Sequence, residues 1–298
     1  MSKSKVVLVK SKSLSSGGAG DQRILGTMLS KGLSVLYDGI DSVDAWRKLS
    51  DSTGRVGMKT NCVSGRNMST SVELATALAE KLVAAGKAER DIIIWDRQNR
   101  ELESAGYSLN YAKNGVRCFG TDTRDVGYAS SFHTNGKVAS MVTNILEIEC
   151  DHLINVPILK DHSLAGVSGA MKNLYGAIHN PNKYHDNNCD PYVAELSALP
   201  IIRSKSSLIV TDMTRVQYHG GPGFRGSYVV KYGAVIMSFD AVAIDAIGGT
   251  ILDRLRIEND MHTLAESGRP AKWLITAEML GLGNSDPANI ELIVIEVD

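Results

Sequence analysis

The chain has 298 residues, 43% of them apolar and 22% charged, with 28 glycines and 7 prolines. Those proportions belong to an ordinary globular protein and exclude collagen-like, disordered and disulfide-dense classes. Basic and acidic residues nearly cancel, 32 against 33, so no overall positive field recruits nucleic acid or an anionic membrane surface, and any charge-driven binding is local.

The N-terminus reads MSKSKVVLVKSK. Its apolar run is too short for a signal-peptide core, and no stretch of about 18 apolar residues follows anywhere. The expectation is a soluble chain without a membrane partner, cytoplasmic as written, with an exported mature form left open. Short β-branched runs follow at 6–9, 56–59, 92–95, 116–119, 153–159, 208–211, 234–238 and 292–297. Helical patterns alternate with them at 21–36, 165–178, 192–203, 242–255 and 271–280. The clearest helix begins at Thr70, whose hydroxyl pairs with Glu73 as a capping box; Leu74, Leu78 and Leu82 repeat at i+4, and Gly86 ends it. This alternation predicts an α/β fold with a largely parallel or mixed sheet flanked by helices. It forms one unit over 1–298, or two lobes divided near 145–160. Cys62, Cys118, Cys150 and Cys189 lie far apart with no Cys-x-x-Cys pair, so reduced thiols are expected.

The chemistry concentrates at predicted strand ends. Gly57-Met58-Lys59-Thr60 lacks the spacing of a phosphate loop, and no Gly-x-Gly-x-x-Gly follows the first strand. Lys59 and Asn61 nevertheless sit where open α/β sheets place ligand contacts. Asp96 ends another apolar run in the same way. The run at 153–159 leads straight into Lys160, Asp161 and His162, and the next pattern carries Gly166, Gly169, Gly176 and the pair Lys172-Asn173 among apolar neighbours. An ammonium in such a setting needs either an anionic ligand or an internal carboxylate. His179, His185, Asp186, Cys189 and Asp190 cluster within twelve positions and offer donors to a transition metal, although His-x5-His and His-x3-Cys match no strong zinc template. Asp212 closes the run at 208–211, and Gly220, Gly221 and Gly223 begin a glycine-rich loop whose amides can converge on an anion. Asp240 stands where it would cap the next helix.

These segments resemble the family catalogued as domain of unknown function 362, sometimes labelled iron-sulfur-centre protein. The resemblance rests on Val56 to Asn61, Asn155 to His162, Gly169 to Gly176, Tyr184-His185, Val210 to Asp212, Gly220 to Gly223 and Asp240 to Asp245, and it spans nearly the whole chain. It implies that Lys160, His162, Lys172, Asn173, His185 and Asp212 are the polar motif positions. Relatives are often joined to ferredoxin-like modules, which points to redox chemistry, and some carry an export signal. This chain has no such module and lacks the close cysteine spacing of a cluster site, so an iron-sulfur cluster of its own is not expected.

The leading expectation is an enzyme of unassigned reaction acting on a small anionic molecule, a carboxylate or a phosphate. Lys59, Lys160 and Lys172, with Asn61 and Asn173, would hold the ligand, and the glycine-rich loop would close beside it. His162 or His185 would move a proton and Asp212 would orient an imidazole. Any electron transfer would need an external cofactor. One alternative is a metal-dependent enzyme or metal-binding protein using His179, His185 and Cys189. The other is a non-catalytic partner of a redox protein.

Overall fold

The computed structural model describes residues 3–16, 21–50 and 54–297. In chain order its elements are β1 (Ser4–Ser11), α1 (Lys12–Ser15), α2 (Gln22–Leu36), α3 (Ser42–Ser50), β2 (Val56–Lys59), α4 (Val72–Ala84), β3 (Ile92–Asp96), α5 (Asn99–Ala105) and β4 (Arg117–Gly120). There follow β5 (His133–Asn135), β6 (Val138–Ser140), β7 (His152–Asn155), β8 (Ile158–His162), β9 (Gly166–Ser168), α6 (Ala170–Asn173), α7 (Tyr192–Ser197) and α8 (Pro200–Lys205). The chain closes with β10 (Ser206–Gln217), β11 (Val229–Ser238), α9 (Ala241–Ile257), α10 (Trp273–Met279) and β12 (Ile290–Val297). Ten strands form one mixed sheet in the order β12-β1-β11-β10-β7-β2-β3-β4, with β8 and β9 branching from β10. The fold is α/β, with β7, β2, β3 and β4 all parallel. Because β7 pairs with β2 on one side and β10 on the other, the sheet continues without a break across 145–160.

Both faces of the sheet are covered, as a mostly parallel sheet requires. On β1 the side chains alternate: Val6 and Leu8 join the core beneath α7 and α9, while Val7 and Val9 join the core beneath α2 and α4. Leu74, Leu78 and Leu82 of α4 are fully buried in that second core, each burial stabilising by roughly 1.5–3 kcal/mol. Gly86 follows at φ +106°, the left-handed conformation that ends a helix. Asp240 caps α9 by accepting from the amides of Val242 and Ala243. No helix among the described residues is long and apolar enough to cross a membrane.

Three local expectations are corrected. Thr70 does not cap α4: its hydroxyl donates to Val156 O and accepts from Asn61 N, the cap position falls to Ser71, and no side chain caps there. The strand expected over 153–159 is two strands. Pro157 has no N–H to give a ladder, and the chain leaves β2 there while still following β10, pairing Ile209 with Asn155 and then Asp212 with Ile158. The helix expected over 165–178 is instead β9, the single turn α6 and a 3-10 turn over Leu174–Ala177.

Gly169 explains that break. A Cβ there would lie 2.1 Å from Asp245 Oδ1, and the Asp245 carboxylate is fixed because it accepts from both Ala170 N (2.6 Å) and Met171 N (2.9 Å). Gly169→Ala is therefore expected to cost about 2–4 kcal/mol, from overpacking and from loosening two buried hydrogen bonds. Urea unfolding measures it, and an unchanged midpoint would contradict the packing described.

Candidate functional site

The departure of β8 from β2 opens the sheet at the carboxyl ends of its parallel strands, where open α/β sheets hold ligands. On the β2 side of β8 the partner is β9, which returns antiparallel and delivers the chain to α6. A cavity of about 240 Å³ fills the resulting space. Its wall includes Lys59 at the end of β2 and Asn61 just past it, Asp96 at the end of β3 and Arg97 just past it, His162 at the end of β8, and Lys172, Asn173 and Tyr175 on α6 and the turn after it. Glu101, Ser168, Asn182 and His185 complete the polar lining.

Much of this wall is an internal network. Lys59 Nζ lies 2.8 Å from Asp96 Oδ1 and also donates to Thr60 O and Asn173 Oδ1. Asp96 accepts in addition from the amides of Cys62 and Arg97, both at 2.7 Å. Asn173 is saturated: its oxygen accepts from Lys59 and Asn61, and its nitrogen donates to Lys59 O and Asn155 Oδ1. Lys160 donates to Asn61 Oδ1, Ser64 Oγ and Met68 O, is 1% exposed, and does not line the cavity. Burial pushes its amine down to about 8. Gly176 is the close approach that admits Lys59, since a Cβ there would stand 2.7 Å from the ammonium. Lys59, Lys160 and Asn173 therefore brace the ends of the strands. Their ammonium and amide groups already have internal partners, although Lys59 and Asn173 also line the cavity.

Lys172 is different. It is 7% exposed and lines the cavity, and its Nζ lies 3.0 Å from His185 Nε2 and 3.5 Å from the centroid of the Tyr175 ring. No carboxylate among the described residues is within ion-pair distance of it. Desolvation holds its amine down to about 7. The two imidazoles stack with centroids 5.7 Å apart. His162 Nδ1 accepts from Leu164 N (3.1 Å) and Ala165 N (3.2 Å), so the neutral ring carries its proton on Nε2. Desolvation first, and then the neighbouring Lys172, push this imidazole down to about 3. It is a fixed hydrogen-bond donor. His185 is also held below its usual value, by burial and then by Lys172, and its Nε2 faces the amine. Of the two histidines, His185 has the available basic nitrogen. The Tyr175 hydroxyl donates to Tyr184 O at 2.6 Å and holds the turn that carries His185.

Residues 56–250 match the family described as Domain of unknown function (DUF362). The chain belongs to this family. The matched span contains every cavity residue named above. No curated protein matches the sequence. Among solved structures, the crystal structure of a Thermotoga maritima protein from the Northeast Structural Genomics Consortium is similar over 74% of this chain at 12% identity and a TM-score of 0.41. The match spans 59% of that protein's length.

Other motif positions of this DUF362 chain have structural tasks. Asp212 is fully buried and far from either imidazole's hydrogen bonds: it accepts from Ser71 N and Oγ and from Thr214 N and Oγ1, tying the start of α4 to β10. None of those four bonds comes from an imidazole. In the glycine-rich loop the Gly221 amide is already taken by an internal carboxylate. Gly221 N donates to Asp161 Oδ1 at 2.6 Å, the Gly223 carbonyl accepts from Gln217 Nε2, Gly220 turns the chain at φ +78°, and only Pro222 reaches the lining. Asp161, buried beneath, is paired with Arg269 at 2.8 Å. The expected metal cluster does not assemble: among the described residues no three His, Cys, Asp or Glu side chains come together as a metal site. His179 packs edge-on against Tyr128, and buried Cys189 approaches the His185 carbonyl at 3.9 Å.

Arg97, Glu101, Ser168, Tyr175 and Asn182 are polar or aromatic cavity residues that sequence reasoning passed over. Arg97 directly follows the carboxylate at the end of β3, a position that signalled strand-end chemistry, and Tyr175 stands three residues after Lys172, one turn on.

Proposed function

We propose that the DUF362 chain binds a small anionic molecule, a carboxylate or a phosphate, in this cavity and acts on it by proton transfer. Lys172 and Arg97 supply positive charge, His162 Nε2–H donates a fixed hydrogen bond, and His185 carries the proton. One observation supports this above the others: Lys172 is a buried amine facing the cavity with an imidazole and an aromatic face for company and no carboxylate within ion-pair distance among the described residues. Such a group is costly unless something anionic completes it. The Tyr175 face contributes about 1–2 kcal/mol to a desolvated cation but does not neutralise it. Arg97 likewise has no ion-pair partner among the described residues, whereas the paired Lys59 and Asp96 cancel.

Titration calorimetry with acetate tests the reading, because acetate keeps its charge over the range in which Lys172 titrates. Below about 7 the amine is protonated and attracts the anion; above it the charge is lost. Acetate affinity is therefore expected to fall as pH rises between about 6 and about 9, with the midpoint displaced upward as acetate saturates the site. A flat profile, or one that moves only near the usual lysine range, would overturn the assignment of charge to Lys172.

A further inference from the structure

We propose that Lys172 is also a nucleophile, whose amine condenses with the carbonyl carbon of a small oxo-carboxylate in the cavity to form an imine. This rests on the anion-site reading only for the placement of the ligand's carboxylate. A lysine acts this way when it is desolvated and stands beside a group that can take its proton, and Lys172 meets both conditions. Its carbon stem is enclosed, its Nζ opens on the cavity, and His185 Nε2 is in hydrogen-bond contact at 3.0 Å.

The step balances with groups already present. His185 Nε2 takes a proton from the Lys172 ammonium, and the freed nitrogen lone pair forms the C–N bond as the carbonyl π pair moves to oxygen. A proton passes from the attacking nitrogen to that oxygen, giving the neutral carbinolamine. The imidazolium then returns its proton to the hydroxyl as the C–O bond breaks, releasing water. The product is an iminium cation, with no change of oxidation state. That cation occupies the position now held by the ammonium, over the Tyr175 face at 3.5 Å, where the ring quadrupole stabilises it. A keto or aldehyde group next to a carboxylate fits the remaining donors: the carboxylate meets Arg97 and His162 Nε2–H while the carbonyl meets the amine.

Lys59 and Lys160 make the contrast. Lys59 is bound to a carboxylate and Lys160 to three neutral oxygens away from the lining, so neither amine is offered to a ligand. With its amine held to about 7 by burial, Lys172 has roughly a thousandfold more neutral form at neutral pH than an ordinary lysine.

The experiment uses the full chain with pyruvate as probe and sodium cyanoborohydride, whose hydride reduces an iminium to a stable secondary amine, followed by peptide mapping. The expected result is a reduced pyruvate adduct on Lys172, in excess over the mean of the other lysines by at least about tenfold, and suppressed by excess acetate. Lys172→Arg keeps the charge but has no nucleophilic amine in this sense, so it should lose the adduct at that position. Adduct spread over exposed lysines, or an unlabelled Lys172, overturns the nucleophile. If acetate still binds in that case, the anion site stands without the imine; if acetate also fails to bind, both fall. The map of the unsubstituted chain decides the matter even if the arginine does not pack.

Discussion

Lys172→Met is expected to weaken acetate binding at least about tenfold while raising the thermal midpoint. Removing a charge-assisted contact costs about 1.5–3 kcal/mol of binding, or roughly 10- to 150-fold in affinity. Stability moves the other way, because methionine has similar length and no charge to desolvate. Replacing a buried, unpaired ammonium by an apolar chain stabilises by about 1–4 kcal/mol, offset in part by the lost contact with the Tyr175 ring. Calorimetric melting and acetate titration of the same preparation measure both. A variant that melts lower and binds as before would show that Lys172 is an internal strut like its neighbours.

Asp96→Asn is expected to have the largest effect on folding. The carboxylate is almost fully buried, pairs with Lys59 at 2.8 Å, and accepts the amides of Cys62 and Arg97. Breaking one half of a buried ion pair costs about 3–5 kcal/mol, a large share of the roughly 5–15 kcal/mol that holds a typical domain. Adding Lys59→Met removes the stranded ammonium and should recover part of the loss, so the double-mutant cycle should show coupling of about 1–3 kcal/mol. Chemical denaturation of the four forms gives that number, and additive losses would mean that the pair is not coupled. Part of the recovery would be masked by the amides left facing asparagine.

The architecture was legible because periodicity reports burial directly. Val6 to Val9 alternate between two cores and Leu74, Leu78 and Leu82 line one, so strand and helix could be told apart without any long-range information. The stretch after β8 was not legible. Its helix-like spacing of small and apolar residues carries no sign that Gly169 is pressed against the carboxylate of Asp245, seventy-six positions away. The three lysines could not be ranked from the sequence for the same reason. Lys59, Lys160 and Lys172 all stand at or near strand ends among apolar neighbours, and only tertiary contacts reveal that the first has Asp96, the second has Asn61 and Ser64, and the third has none of these. The donors near His185 were close in sequence, yet backbone direction sends His179 toward Tyr128 and buries Cys189, so proximity along the chain did not become a coordination shell.

The most direct test of the anion site is a crystal of the full chain soaked in bromide, with the halide located by its anomalous signal. The expected result is a bromide in the cavity within contact of Lys172 Nζ and the Arg97 guanidinium, competed away by acetate. Bromide bound elsewhere on the surface, with this cavity empty of it at the same concentration, would contradict the proposal.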